Sequence, residues 1–281
     1  MKQIHKRKFL LLLPFLAILA GYHLFIHRET DTEAPVISLP PSTLTVSVQD
    51  GQEALLSGAT AVDGLDGDVT GQMVVEHIGA LKQDRTALVT LAAFDRAGNV
   101  SKANRTVCFE DYNGMTFHLS APLVFPEDHN FNLLHCISVT DPIDGSLSSR
   151  IKASLTGDDT TIRTVGVHEV ALRVTNSMGY TERLTVPVEV CAPGTYNASV
   201  KLSRYLVYLR TGDDFNPYDY PQALVPDART EYSLEGGGSD DTSLLIESNV
   251  DTGVPGTYTV HYTAEHNNHI GMATLIVVVE D

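Results

Sequence analysis

Apolar and polar residues alternate with a period of two along much of this chain, in short segments punctuated by Gly, Asp, Asn and Pro. Residues 35–39 and 44–48 read this way, as do Val89, Leu91 and Ala93, then Val170, Leu172 and Val174, then Tyr258, Val260 and Tyr262. A period of two places the apolar side chains on one face of a strand. Residues 95–99, 176–179 and 266–269 each separate two such segments and read as hairpin turns. Val, Thr, Tyr and Ile recur in short runs, and helix formers are not grouped. The pattern predicts an all-β chain.

The pattern also repeats. Residues 61–70, AVDGLDGDVT, return 78 residues later at 139–148 as VTDPIDGSLS. Asp63 matches Asp141, Asp66 matches Asp144, Gly67 matches Gly145 and Val69 matches Leu147. Self-similarity at a fixed, domain-sized period marks a repeated structural unit. The predicted units are 35–111, 112–192 and a divergent third at 193–281. The third keeps the back half of the pattern from Gly256 onward. Its Asp/Gly turn is replaced by residues 213–221, and Gly-Gly-Gly-Ser at 236–239 interrupts its front half. Pro187, inside the closing segment of the second unit, predicts a strand at a sheet edge.

The N-terminus departs from this pattern. Residues 1–8 are basic, and residues 9–26 form an apolar run broken only by Pro14, Gly21 and His23. At about 1.5 Å per residue in a helix, that run just spans a thin hydrocarbon core. Positive charge ahead of it predicts residues 1–8 in the cytoplasm, a transmembrane signal-anchor at 9–26, a linker at 27–34 and an exported body. A signal cleaved after Ala20, giving a secreted protein, competes; the length of the run favours the anchor. The whole chain carries −16 and its first 28 residues +5, which leaves −21 for the rest. So acidic a body argues against nucleic acid as a partner. Hydrophobic residues make up 43% of the chain, enough for packed cores rather than disorder.

Candidate chemistry is sparse. No GxSxG, HExxH, Walker A or GxGxxG motif is present, so an enzyme is not expected. Asp63, Asp66 and Asp68 are hard oxygen donors that could hold Ca²⁺. Their spacing is not that of an EF-hand, and a turn capped by its own Asp, with Gly at positive φ, explains both copies without metal. Tyr205, Tyr208, Phe215, Tyr218 and Tyr220 form the densest aromatic group, a stacking platform for a sugar or peptide unless they are spent on packing. His261, His266 and His269 lie near one hairpin without a Cys or Glu partner in sequence. Cys108, Cys136 and Cys191 show no metal spacing; a bridge between Cys136 and Cys191 is left open.

Residues 34–37 (APVI), 61–70, 95–99 (DRAGN) and 105–107 (RTV), echoed at 140–148, 166–174 and 250–263, carry a resemblance to a known family. They resemble bacterial immunoglobulin-like surface domains of the pesticidal-crystal-protein type, which look similar to hyalin-repeat and cadherin-like modules. The buried Trp of antibody-type domains is missing, since the chain has no Trp. The resemblance implies tandem Ig-like β-sandwich domains behind the signal-anchor, acting as a stalk or as an adhesion or interaction module. A different class stays open: a sensory ectodomain that binds a cell-surface glycan or peptide through the third unit.

Overall fold

The computed structural model describes Ile18 and residues 31–127, 131–156, 162, 164–237 and 241–281. The predicted cytoplasmic stub and, apart from Ile18, the predicted membrane segment lie outside the described residues. Among the described residues no helix is long and apolar enough to cross a membrane. From residue 31 onward the regular structure is strand, joined by short 3-10 turns. The chain divides into two compact units. Of the described residues, one comprises those up to 46, with 50–79 and 86–108, and the other those at 47–49, 80–85 and from 109 onward.

The first unit holds β1 (Val36–Ser38), β2 (Leu44–Val46), β3 (Thr60–Asp63), β4 (Gly67–Asp68), β5 (Val74–Ile78), β6 (Thr86–Phe94) and β7 (Val100–Phe109). They form two sheets, ordered β1-β3-β4 and β2-β7-β6-β5. Val89, Leu91 and Ala93 of β6 and Ala61 of β3 are fully buried, so the predicted alternation does select the inner faces. Arg105 of β7 is also buried, and its guanidinium Nη1 donates to the Ser57 carbonyl at 2.8 Å. A buried guanidinium needs such acceptors.

The second unit opens with a copy of that arrangement. β8 (Thr116–Leu119), β9 (Val124–Pro126), β10 (Ile137–Asp141), β11 (Gly145–Ser146), β12 (Lys152–Leu155), β13 (Gly166–Thr175) and β14 (Thr181–Cys191) repeat β1–β7 one for one. The sheets are β11-β10-β8 and β12-β13-β14-β9. Phe117, Val139, Leu147, Val170, Leu172, Val174, Val186 and Val188 fill the core between them. Pro187 lies opposite Glu169 of β13, and β9 runs beside β14 only at Glu189–Cys191. At Pro187 the outer side of the strand is therefore unpaired, and its missing N–H leaves no gap in a ladder.

The remaining strands are β15 (Ala198–Leu202), β16 (Leu206–Arg210), β17 (Pro221–Asp227), β18 (Thr230–Ser233), β19 (Thr242–Ser248), β20 (Gly256–His266) and β21 (His269–Glu280). They form one seven-stranded sheet around the β20–β21 hairpin. Asn267, at φ 55°, and Asn268 make its two-residue turn. β21 carries β20 along one edge, then β15 and β16 along the other. Its LIVVV run is apolar at every position because both faces are covered. Leu275, Val277 and Val279 enter the core of Val200, Leu224, Val260 and Tyr262. Ile276 and Val278, with Leu206 and Tyr208, enter the core of the β8–β14 copy instead. The front of this region, expected to have lost its pattern, forms β15–β18. Its apolar positions do not alternate cleanly, because the ladders shift register at Lys201/Leu202 and between Leu224 and Asp227.

Candidate functional site

The repeated Asp/Gly stretch is a tight turn in both copies. Asp63 ends β3, and its Oδ1 accepts the N–H groups of Leu65 and Asp66, each at 2.8 Å. Asp141 does the same for Ile143 and Asp144, at 2.7 and 2.8 Å. Gly67 and Gly145 follow at φ 73° and 71°, in the left-handed region that other residues enter at a cost. The second Asp of each motif reaches the hairpin turn of the opposite sheet. Asp66 Oδ2 accepts from the Arg96 N–H at 2.7 Å, and Asp144 Oδ2 from the Ser177 N–H at 2.7 Å. The motif thus caps its own turn with the first Asp and ties the two sheets together with the second.

The copies part at the other oxygen of the first Asp, which is buried in both. Asp141 Oδ2 accepts from the Tyr112 hydroxyl at 2.9 Å and from the Asn176 side-chain amide at 3.2 Å. Burial, together with the hydrogen bond to Asp141 and its charge, pushes the Tyr112 phenol far above its ordinary pKa, so it stays a donor. Asp63 Oδ2 has no hydrogen-bond partner among the described residues. Where the second copy opens its hairpin turn with Asn176, the first has Asp95. Asp95 accepts instead from Asn99, through its backbone N–H at 2.8 Å and its side chain at 2.7 Å. Burial pushes the Asp95 carboxyl up, but these bonds and those from Gly98 and Ala97 outweigh it and hold it low. Where the second copy leads into β8 with Tyr112, the strand register of the first leads into β1 with an exposed Thr32, next to Asp31.

Asp31, Asp63 and Asp66 each place one carboxylate oxygen within 4.8 Å of the others. Asp68 is not in that group; it accepts the Thr70 N–H at 2.9 Å, and Thr70 lowers its pKa. Asp31 lies outside the repeated motif and was not legible as a partner from it. Two of the three His residues are spent locally: His261 Nδ1 lies 3.2 Å from Thr274 Oγ1, His266 Nδ1 lies 2.9 Å from Thr242 Oγ1, and His266 stacks on Tyr232; His269 Nδ1 is buried without a partner among the described residues. All three cysteines are free thiols, each half-buried, with no bridge between Cys136 and Cys191.

The aromatic set is dispersed. Tyr208 packs against the β8–β14 core and its hydroxyl accepts the Phe117 N–H at 3.3 Å. Tyr205, Phe215 and Tyr220 pack on the core of the last sheet, where Phe215 and Tyr220 stack at 5.7 Å. Tyr262, fully buried, ties the same loop down by donating to the Pro217 carbonyl at 2.7 Å. Tyr218 alone of the five is exposed. Tyr205 and Tyr208 also line a cavity of about 730 Å³ whose other walls include His118, Lys201 and Arg204.

No family model matches the chain. The chain is similar to the "Uncharacterized 81.3 kDa protein" of Acholeplasma phage L2, 26% identical over 192 residues. That match takes in 66% of this chain and 23% of the phage protein, so the chain spans less than a quarter of its curated relative. Among solved structures it is similar to Drosophila N-cadherin EC1-4 at 13% identity, covering 90% of this chain and 76% of that one, with TM-score 0.22. Human CDH23 EC21-23 gives 14% identity, 88% and 100% coverage and TM-score 0.23. The CBM51-2 and INT domains of Clostridium perfringens ZmpB give 16%, 53% and 26%, and 0.22.

Proposed function

We propose that this chain is a non-enzymatic, membrane-anchored surface protein whose tandem Ig-like β-sandwiches serve as a stalk or as an adhesion module. One observation carries the reading: the two copies match strand for strand, and in each the two Asp residues of the motif hold a turn and link the sheets. Such modules extend a chain without supplying chemistry. Their motifs resemble those of bacterial immunoglobulin-like surface domains, and the basic stub ahead of an apolar run supports export of the acidic body. The aromatic residues 205–220 support the stalk role, since four of the five pack inward. The test is topology in intact cells. Protease added outside should digest residues beyond 29, and full protection would remove the proposal; a mature N-terminus at Gly21 would replace the anchor with a cleaved signal.

A second reading, recognition of a glycan or peptide, rests on the cavity beside β8. Edge strand β8 and Arg204 give it unpaired backbone groups and a cation in an otherwise acidic body. Loss of binding to whole cells on Arg204→Ala, with unchanged melting, would favour it over a plain spacer.

A further inference from the structure

We propose that Asp31, Asp63 and Asp66 form a Ca²⁺ site in the first unit, and that the equivalent place in the second unit is closed by hydrogen bonds. Two independent observations meet there. The first is the approach of three carboxylate oxygens to within 4.8 Å of one another. Ligands about 2.4 Å from a shared ion can stand up to about 4.8 Å apart, which is the range for Ca²⁺. The second is Asp63 Oδ2, an oxygen of a side chain only 4% exposed, buried without a partner. A buried carboxylate oxygen left unmatched is costly unless a cation or donor meets it.

The copy shows where that oxygen points. Asp141 Oδ2 faces the residue leading into the first strand and the residue opening the hairpin turn, and both are neutral donors, Tyr112 and Asn176. In the first unit the strand register puts an exposed Thr32 in the place of Tyr112, and Asp95 stands in the place of Asn176. Neither donates to Asp63 Oδ2 among the described residues, while Asp31 and Asp66 bring two further carboxylate oxygens close to Asp63, a grouping that suits a cation. Among the described residues, the cation paired with this cluster is Arg96, which reaches Asp66 at 3.7 Å with its side chain 81% exposed. It does not fill the centre. Glu33 adds charge at the rim: a Cβ on Gly64 would come within 3.8 Å of its Oε2.

The donor set selects the ion. Oxygen ligands without His or Cys exclude a preference for zinc or copper. The three carboxylates come from separate places, the lead-in to β1, the end of β3 and the turn after it, and such a site suits the flexible geometry of Ca²⁺ better than the strict octahedron of Mg²⁺. Bound there, the ion pins Asp31, and with it the segment entering β1, to the turn. The inference stands apart from the proposed surface role, because binding can be measured on purified protein.

The experiment is calorimetric titration of CaCl₂ into the full chain, purified in mild detergent and stripped with chelator. We expect one site per chain, with a dissociation constant of about 10⁻⁴ to 10⁻³ M, the range of extracellular modules. Asp63→Asn keeps the turn-capping carbonyl and should weaken binding at least tenfold. Asp31→Asn, which lies ahead of the first strand and keeps the carbonyl oxygen that accepts the Glu33 N–H at 3.1 Å, should do the same with unchanged melting of the metal-free protein. Asp141→Asn should bind as wild type. No binding up to about 10 mM CaCl₂, far above that range, would overturn the proposal. So would wild-type affinity in Asp31→Asn, or equal losses from Asp63→Asn and Asp141→Asn.

Discussion

In the first unit Asp63 holds a turn with one oxygen and leaves the other buried and unmatched; in the second unit Asp141 holds the same turn and has both oxygens satisfied. Backbone geometry hardly distinguishes the two turns. Their neighbours do: Tyr112 and Asn176 beside one, the carboxylates of Asp31 and Asp66 beside the other. A repeated fold can thus keep its turn and its link between sheets while changing what the buried carboxylate meets. The shared part serves folding, and the altered part is where a new property can arise.

The largest expected effect breaks that comparison directly. Asp141→Ala strands two backbone N–H groups and the Tyr112 hydroxyl proton and leaves the Asn176 amide with Tyr112 alone, and should cost about 3–5 kcal/mol. Asp63→Ala strands only the two N–H groups and relieves an unmatched oxygen, so in chelator it should cost less, about 1–2 kcal/mol. Urea unfolding of the two variants measures the gap, and equal costs would deny the difference between the copies. Next come Gly67→Val and Gly145→Val. An added Cβ meets nothing within 4 Å at either position, so only backbone strain at φ 73° and 71° remains. Each should cost about 1–3 kcal/mol, and by similar amounts, since the turns are alike. Tyr112→Phe should cost about 1 kcal/mol, because Asn176 still serves Asp141.

Acid gives the smallest effect. Asp95 and Asp68, both in the first unit, have carboxyl pKa values lowered below 3.8 in the fold. Such groups favour the folded state above that pH, and their contribution is lost as pH falls through the lower folded values. Melting followed from neutral pH downward should therefore show this contribution intact above about pH 4 and declining below it. Asp95→Asn should flatten the decline.

The sequence made the strands of both copies legible because one face of each is buried and the other wet, so period two survives at Val89–Ala93 and at Val170–Val174. The turn was legible because Asp capping and a Gly at positive φ demand those residue types in fixed order. Two things escaped. β15–β18 were hidden because their apolar residues serve register shifts and two separate cores, as Leu206 and Val207 show by entering different ones. Asp31 escaped because its partners are brought to it by folding: it lies 32 residues ahead of Asp63, outside any repeated motif. The candidate ligand set read from the motif alone named Asp68, which is adjacent in sequence but turned to Thr70.

Hydrogen exchange on the full chain, with and without CaCl₂, tests most directly that the two turns are alike in fold and unlike in what completes them. The amides to follow are Leu65, Asp66 and Arg96 in the first unit and Ile143, Asp144 and Ser177 in the second. All six are bound to turn carboxylates in the structure. The account predicts that Ca²⁺ slows exchange at the first three and leaves the second three unchanged. Slowing at both sets alike, or at neither, would contradict it.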